Sequence, residues 1–192
     1  GTGGSSSTFS FIWRRKNWEN GSIALKVDRF YLEIKSLKSL NEAICPIQNL
    51  VIEKVNPPNI EINKFFYKNI GKNHRWIDRL VWGNPKWESY IENKNVHTHV
   101  LKLNSDLVGY FEIINDDKTK SSEIAYFGIL EDYIGKKIGG YFLSEAIKIC
   151  FKNYCKRIWV HTCTLDHENA LKNYLKRGMK VFREETLNLN TN

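Results

Sequence analysis

The stretch EIAYFGILEDYIGKKIGG, residues Glu123–Gly140, is the most informative part of this sequence. It starts as an apolar strand, passes through a turn and ends where a helix begins. The glycines at positions 135, 139 and 140 let the main chain approach a ligand closely, because glycine has no Cβ atom. Amides at a helix N-terminus point outward and the helix dipole favours anions. With Lys136 and Lys137 beside them, these features predict a backbone cradle for a pyrophosphate.

The residues that follow predict a helix, strand, helix and strand in turn. Apolar residues recur at helical spacing over Gly139–Tyr154, and Ile158–Cys163 has the composition of a strand. A second helix is expected to have Asp166 as its N-cap and to end at Gly178, where glycine suits the C-terminal turn. A last strand, Lys180–Glu184, closes the pattern.

The residues before the decisive stretch predict antiparallel strands and a helical insert. Strands are expected over Arg29–Ile34 and Leu50–Val55, and a hairpin over Val100–Leu103 and Leu107–Ile114. Residues 59–93 are helical in tendency and rich in tryptophan. The fold class is therefore α/β, more fully an α+β arrangement in which a central, twisted sheet with both antiparallel and parallel strands is flanked by helices.

Length and composition fit one domain. The 192 residues, 42% of them hydrophobic, are enough for a single core. We expect residues 1–28 to form a flexible or tag-like N-terminal segment and residues 29–192 to form the domain. Apolar runs are shorter than the roughly 20 residues that a bilayer crossing needs, so no membrane association is predicted.

The net charge of the chain indicates which kind of partner it binds, and its cysteine content indicates its cellular location. A formal net charge of +8 favours an anionic partner. The basic residues are scattered and no nucleic-acid-binding motif accompanies them, so a phosphorylated cofactor is favoured over nucleic acid. Four cysteines in a chain of this length do not suggest a disulfide framework, and a cytoplasmic location is expected.

The cradle matches neither the dinucleotide fingerprint nor a P-loop. Residues Ile134–Gly139, IGKKIG, instead resemble the R/Q-x-x-G-x-G/A motif that holds the CoA pyrophosphate in the GCN5-related N-acetyltransferase (GNAT) superfamily. Ile134 stands where Arg or Gln is usual, and Lys137 replaces the first glycine. The helix end Asn173–Lys180 resembles the Tyr-x-x-x-Gly-Phe feature of the same superfamily, with Met179 in place of Phe.

Further segments are similar to a bacterial branch of this superfamily. They are Trp76–Arg79, Gly109–Glu112, Glu123–Gly128 and His161–His167. The resemblance implies a GNAT fold, acetyl-CoA as acyl donor without a metal, and N-acetyl transfer to a small-molecule or peptide amine by a monomer or homodimer. The cofactor-binding residues that it implies are Phe127, Ile129, Ile134, Gly135, Lys136, Lys137, Ile138, Gly139, Gly140 and His167.

The resemblance also suggests catalytic groups, each with a structural alternative. Glu123 corresponds to a catalytic Glu of the histone acetyltransferase branch and is interpreted as the general base or as a salt-bridge partner. Glu112 is interpreted as facing the same cleft, where it binds the ammonium group or acts as the base, or as an exposed or paired carboxylate on a strand. Tyr174 is interpreted as the proton donor to the leaving thiolate or as a core residue with a satisfied hydroxyl.

The acceptor site is expected to involve the insert and the strand after the main helix. Asp78 is interpreted as pairing with an amine and Arg79 with a carboxylate, and the other candidate residues as shaping the pocket. The alternative is that the two charges are solvated and the tryptophans only pack. Those residues are Trp76, Trp82, His161 and Cys163.

Three other readings stay open. The His and Cys residues of 150–167 suggest a zinc site or a Cys nucleophile with a His base. A non-catalytic module, either a CoA-binding sensor or a basic nucleic-acid-associated protein, is the alternative from another class. The departures from the family motif at Ile134 and Lys137 favour it.

Overall fold

The computed structural model of the chain describes residues 17–19 and 22–191. The strands in these residues are β1 (Asn17–Glu19), β2 (Ser22–Ile34), β3 (Leu50–Lys54), β4 (Val96–Leu103), β5 (Asp106–Asp116), β6 (Ser121–Ile129), β7 (Arg157–Cys163) and β8 (Lys180–Thr191). The α-helices are α1 (Ile60–His74), α2 (Asn84–Ile91), α3 (Ile138–Asn153) and α4 (Glu168–Lys176). Among the described residues, no helix has the length and apolar character needed to cross a membrane.

The strands form one mixed sheet. Its order is β2, β7, β6, β5, β4, β3, while β8 and the short β1 also pair with β2. In the described part of the chain, every pairing is antiparallel except that of β6 with β7. The predicted mixed sheet flanked by helices is confirmed.

Helices cover the two faces of the sheet with separate apolar clusters. On one face, Phe142 and Leu143 of α3 pack against residues of β2, β6 and β7. On the other face, Phe66 and Ile70 of α1 pack against β4, β5 and β6, together with Trp76 from the following loop. Burial of these side chains supplies most of the stabilisation of such a layered fold.

Trp76 is held between two glycines. A Cβ atom on Gly71 would come 2.9 Å from the Cβ of Trp76, and one on Gly128 would come 2.6 Å from Ile70 Cγ2 and 3.4 Å from Trp76 Cη2. The side chain is 5% exposed. The Trp76 ring packs α1 onto β6, and its role in binding the acceptor stays a prediction.

Several boundaries differ from the predicted ones. β2 begins at Ser22 rather than Arg29, and β8 continues to Thr191 rather than ending at Glu184, because these extensions pair with each other. Asn17–Glu19 and Ser22–Asp28 thus belong to strands, whereas the rest of the predicted N-terminal segment lies outside the described residues.

The N-cap of α4 also differs. His167, and not Asp166, is the cap: its Nδ1 accepts a hydrogen bond from the Asn169 amide at 3.1 Å. The Asp166 carboxylate instead accepts hydrogen bonds from the Thr162 hydroxyl and from the Cys163 amide. It therefore braces the end of β7 rather than the start of the helix.

We predict that Gly128→Ala lowers the free energy of unfolding by about 1–3 kcal/mol, because the added methyl group overlaps the branched side chain of Ile70. Urea unfolding measures the change. Gly139→Ala is the matched control, since its Cβ atom would make only ordinary contacts at 3.6 Å or more and should change stability by less than about 1 kcal/mol. Equal effects of the two substitutions would contradict this packing.

Candidate active site

The site is centred on a gap between β6 and β7. These parallel strands pair only over Ser121–Glu123 and Arg157–Trp159, although both continue further. Beyond Glu123 the strands separate. In open sheets with parallel strands, ligands bind outside the carboxyl ends of the strands, where such gaps lie.

Two backbone amides of β6 point into this gap. The Leu130 amide donates to the Val108 carbonyl at 2.8 Å, on the β5 side. Because N–H groups alternate in direction along a strand, the amides of Ile129 and Phe127 point away from β5 and into the gap. A bulge lies at Ala125, where the β5–β6 register shifts.

One pocket of about 120 Å³ opens from the gap on the α3 and α4 face. It is lined by His74, Phe127, Gly128, Ile129, Ile134, Gly139, His167, Asn169, Ala170, Asn173 and Tyr174. Tyr174, the candidate proton donor, is 1% exposed overall yet contributes to the wall. Asn173 donates to the Gly139 carbonyl at 3.2 Å and so fixes α4 against the start of α3.

The loop before α3 has the geometry of a backbone cradle. Gly135 has a φ of 86° and Lys137, the N-cap, has a φ of 63°. No side chain caps the first-turn amides of α3. A Cβ atom on Gly139 would lie between Ile129 and Asn173, two residues of the pocket wall. A larger side chain there would enter the pocket.

Gly140 does not share this role. A Cβ atom on Gly140 would come 2.8 Å from an Arg177 Nη1 atom and 3.5 Å from Ala43. The side of Gly140 on which a Cβ atom would lie therefore faces Arg177 and Ala43 and not the pocket. The prediction that a ligand approaches Gly140 from this side is wrong. A Cβ atom there would require the end of the Arg177 side chain to shift.

Two histidines meet at the pocket. His167, predicted as a cofactor-binding residue, and His74 at the end of α1 both line it, with their ring centroids 5.5 Å apart. His74 was missed because the sequence offers no signal that the end of the insert helix reaches α4. The pair joins the insert to the helix that carries Tyr174.

A second pocket, of about 410 Å³, opens on the α1 face. It is lined by Arg29, Arg75, Trp76, Ile77, Asp78, Arg79, Ile114, Glu123, Ala125, Tyr126, His161, Thr162, Cys163 and Asp166. Glu123, Asp78, His161 and Cys163 come together here, as predicted for the acceptor site. Arg29 was missed, because its strand is remote in sequence and joins the site only through pairing with β7.

Glu123 and His161 form the polar centre of this pocket. Their Oε1 and Nε2 atoms lie 3.6 Å apart, and their side chains are 23% and 31% exposed. Burial raises the pKa of the Glu123 carboxyl and lowers the pKa of the His161 imidazole. Both shifts favour the neutral forms. The pair therefore contains a neutral imidazole beside a carboxyl group that gains a proton more readily than an ordinary glutamate.

Glu112 lies elsewhere. It is fully buried, and the Arg79 guanidinium donates to its two carboxylate oxygens at 3.2 and 2.9 Å. Asn63 and Tyr90 donate to the same carboxylate at 2.8 and 2.9 Å. The prediction that Glu112 faces the cleft is wrong, because these partners occupy its carboxylate.

The prediction that Arg79 pairs with a substrate carboxylate is wrong, because its guanidinium is paired with Glu112. Burial alone lowers the pKa of its guanidinium, but the Glu112 carboxylate and the neighbouring tyrosine hydroxyls together outweigh this and the pKa is raised. Five rings of the described residues surround the guanidinium at 4.2 to 5.9 Å from their centroids, those of Tyr67, Trp82, Trp87, Tyr90 and Tyr126. Trp82, predicted to contact the acceptor, is one of these packing rings.

Asp78, next to Arg79 in the chain, is held at the pocket wall. Tyr67 donates to its Oδ1 at 3.1 Å, and Tyr126 lies 2.7 Å from both carboxylate oxygens. The residue is exposed. Two tyrosine hydroxyls thus orient a carboxylate that faces solvent within the pocket.

The cysteines do not support the nucleophile reading. Burial raises the pKa of the Cys163 thiol, which disfavours the reactive thiolate, and Cys150 is fully buried in the apolar cluster beneath α3. In the described part of the chain, no three His, Cys, Asp or Glu residues come together as metal ligands.

Comparison with known proteins identifies the family. A profile of the Acetyltransferase (GNAT) family matches residues 62–179, more than half of the chain. The chain therefore belongs to the GNAT family. Curated protein sequences give no match.

Solved structures share the fold at low sequence identity. A functionally unknown conserved protein from Staphylococcus epidermidis is 20% identical, with a TM-score of 0.57, over 86% of this chain and 61% of that one. A GCN5-related N-acetyltransferase from Sphaerobacter thermophilus is 14% identical, with a TM-score of 0.65, over 86% and 51%. An aminoglycoside acetyltransferase from an uncultured soil metagenomic sample is 12% identical, with a TM-score of 0.56, over 67% and 87%. The chain thus spans less than two thirds of the first two.

We predict that Glu112→Gln lowers the free energy of unfolding by about 3–5 kcal/mol, because the buried Arg79 cation loses its counter-charge. Thermal and urea unfolding measure the loss. The matched control is Glu53→Gln, which removes a solvent-exposed pair with Lys102 at 2.9 Å and should cost less than about 1 kcal/mol. Unchanged stability of the Glu112 variant would show that the ion pair is not structural.

Proposed function

We propose that this chain is an N-acetyltransferase that passes the acetyl group of acetyl-CoA to a primary amine by direct attack while both are bound. One observation supports this beyond family membership. The two pockets open on opposite faces of the sheet at the same gap, with Tyr174 in the wall of one and Glu123 in the wall of the other. Donor and acceptor bound on the two sides would meet at the gap.

The residues present fit a CoA thioester. The α3 amides and the open side of Gly139 suit a pyrophosphate, and Lys136 and Lys137 add positive charge. The amides of Phe127 and Ile129 that point into the gap offer hydrogen bonds to an extended amide-containing arm. When bound, acetyl-CoA supplies an activated thioester.

Groups of this chain then accept and donate the protons of the reaction. Glu123 accepts the proton of the acceptor ammonium, directly or through the neutral imidazole of His161. The Phe127 amide donates a hydrogen bond to the oxygen on which negative charge develops. Tyr174 donates a proton to the leaving thiolate, for which a phenol has a suitable pKa. The soil metagenomic neighbour that is an aminoglycoside acetyltransferase supports a small-molecule amine as the acceptor.

We predict that millimolar acetyl-CoA raises the Tm of the protein and that Gly139→Val abolishes the shift without lowering the Tm of the free protein. The valine side chain would fill the space between Ile129 and Asn173 that the cofactor needs. Ligand binding to the native state alone stabilises it in proportion to RT ln(1 + [L]/Kd). Differential scanning fluorimetry and calorimetric titration measure both quantities.

The control for this variant is Gly83→Val, at a site remote from the pocket where a Cβ atom would contact only Pro85 Cδ at 3.7 Å. It should keep the full shift. A wild-type Tm that acetyl-CoA leaves unmoved would refute the cofactor assignment. Unaltered affinity of the Gly139 variant would refute the cradle alone.

We predict that Glu123→Gln lowers kcat by about 10²–10⁴ and leaves the affinity for acetyl-CoA unchanged, because an amide does not accept the ammonium proton. In the wild type, the raised pKa of Glu123 moves the acid limb of the kcat/KM profile to a pH above that of an ordinary glutamate, since the base form exists only above this pKa. Steady-state kinetics over a pH series measure both effects.

Glu92→Gln, at an exposed glutamate that follows α2, is the matched control and should retain the wild-type profile. Retention of turnover and of the acid limb in the Glu123 variant would exclude Glu123 as the base and leave His161 as the next group to substitute.

A further inference from the structure

Besides the candidate base Glu123, the acceptor pocket has one carboxylate that is both oriented and exposed, that of Asp78. Asp78 is held by the hydroxyls of Tyr67 and Tyr126, and a carboxylate has about four lone-pair sites, so it retains capacity for a further donor. Asp166, the other acidic residue of the wall, is 4% exposed and accepts hydrogen bonds from its own loop. The pocket is therefore built to hold one ammonium group.

The positive groups of the wall argue against an acceptor with several positive charges. Arg29 and Arg75 both line the pocket, and Arg29 forms an ion pair with Glu185 at 3.4 Å. The whole chain carries a formal charge of +8. A polycationic acceptor would be repelled by this charge during approach and would meet arginine side chains on arrival.

The pocket wall includes one exposed apolar side chain, Ile77, and the loop that carries it holds two more. Ile77 is 70% exposed, and Leu80 and Val81 on the same loop are 66% and 88% exposed. Three large aliphatic side chains on one short loop form an apolar surface, and exposure of this surface to water costs free energy. An apolar substituent on the acceptor would cover it.

An aromatic row begins at His161 in the pocket wall and continues over the neighbouring strands. The ring of His161 lies 5.7 Å from that of Tyr31 and 6.3 Å from that of Trp159, and the Tyr31 ring lies 6.1 Å from that of Phe182. Phe182 is 44% exposed. Rings in this arrangement present faces and edges on which another aromatic group stacks.

We propose that the acceptor is a small primary monoamine with one large aromatic or aliphatic substituent, that Asp78 binds its ammonium group, and that the substituent lies between Ile77 and the aromatic row at His161. This inference rests on the proposed function and specifies its substrate class. The ammonium group loses one proton to Glu123, and the resulting amine forms the new bond to the acetyl carbon as the carbon–sulfur bond breaks. The nitrogen then loses a second proton, which balances the proton that Tyr174 gives to the departing thiolate. The products are an N-substituted acetamide and the free thiol of CoA.

The first test compares acceptors under identical conditions. The wild-type protein with acetyl-CoA is assayed for thiol release with 2-phenylethylamine, tryptamine and hexylamine, and with ethylamine, spermidine and kanamycin. We expect kcat/KM for the first three to exceed that for the last three by at least about tenfold, since burial of each additional methylene favours binding. Preference for spermidine or kanamycin would overturn the inference.

The second test uses variants of the two binding features. Asp78→Asn should raise KM for 2-phenylethylamine by about tenfold with kcat changed less, because one charge-assisted contact to the ammonium group is lost. Asp117→Asn, at an exposed turn between β5 and β6, is the matched control and should retain the wild-type KM. An unchanged KM in the Asp78 variant would overturn the role of that carboxylate.

Ile77→Ser should raise KM for 2-phenylethylamine more than for ethylamine. Ile44→Ser, at a residue that is 89% exposed outside the pocket, should change neither. An equal effect on both amines in the Ile77 variant would contradict the apolar contact.

The outcomes separate this inference from the proposed function. Acetylation confined to spermidine or kanamycin would leave the N-acetyltransferase proposal intact and refute the monoamine class. Binding of acetyl-CoA without acetylation of any amine in the panel would also refute the monoamine class. Absence of both acetyl-CoA binding and acetylation would refute the proposed function itself.

Discussion

The early end of the pairing between β6 and β7 is the constraint on which the site depends. Two parallel strands that stay paired would leave no space between them and would use their own backbone groups. Because pairing stops at Glu123, the amides of Phe127 and Ile129 are left for a ligand and pockets form on both faces. The crossover through α3 makes this possible, since its N-terminus lies where the strands diverge.

The buried ion pair of Arg79 and Glu112 serves the site indirectly. It is surrounded by rings and hydrogen bonds that join the insert to β5. Its neighbour Asp78 is therefore presented from a loop that is fixed at its base, which reduces the conformational freedom lost on binding. A buried pair of this kind often adds little net stability, and its value here lies in holding one loop in one position.

The sequence predicted those parts whose signal is local. Helical periodicity located α3 within one residue of its observed bounds, and the family motifs located Glu123, Gly139 and Tyr174 at the gap. Glu112 was misassigned because its partner Arg79 lies 33 residues earlier and no pattern along the chain connects them. His74 and Arg29 were missed for the same reason, since only tertiary packing brings them to the pockets. Glycine positions were found, but whether each faces a ligand or a neighbouring side chain depended on packing.

The position of β2 has a consequence for how the chain folds during synthesis. Residues of β2 pair on one side with β7 and on the other with β8, so Phe30 lies opposite both Thr162 and Glu184. The strand emerges from the ribosome early, but Phe30 and its neighbours pair only after β7 and then β8 have been made. Contacts of such long sequence separation slow folding and leave a strand edge exposed meanwhile. The cell must therefore protect an unpaired strand that contains Tyr31 and Leu32 for most of the time that the domain takes to be translated.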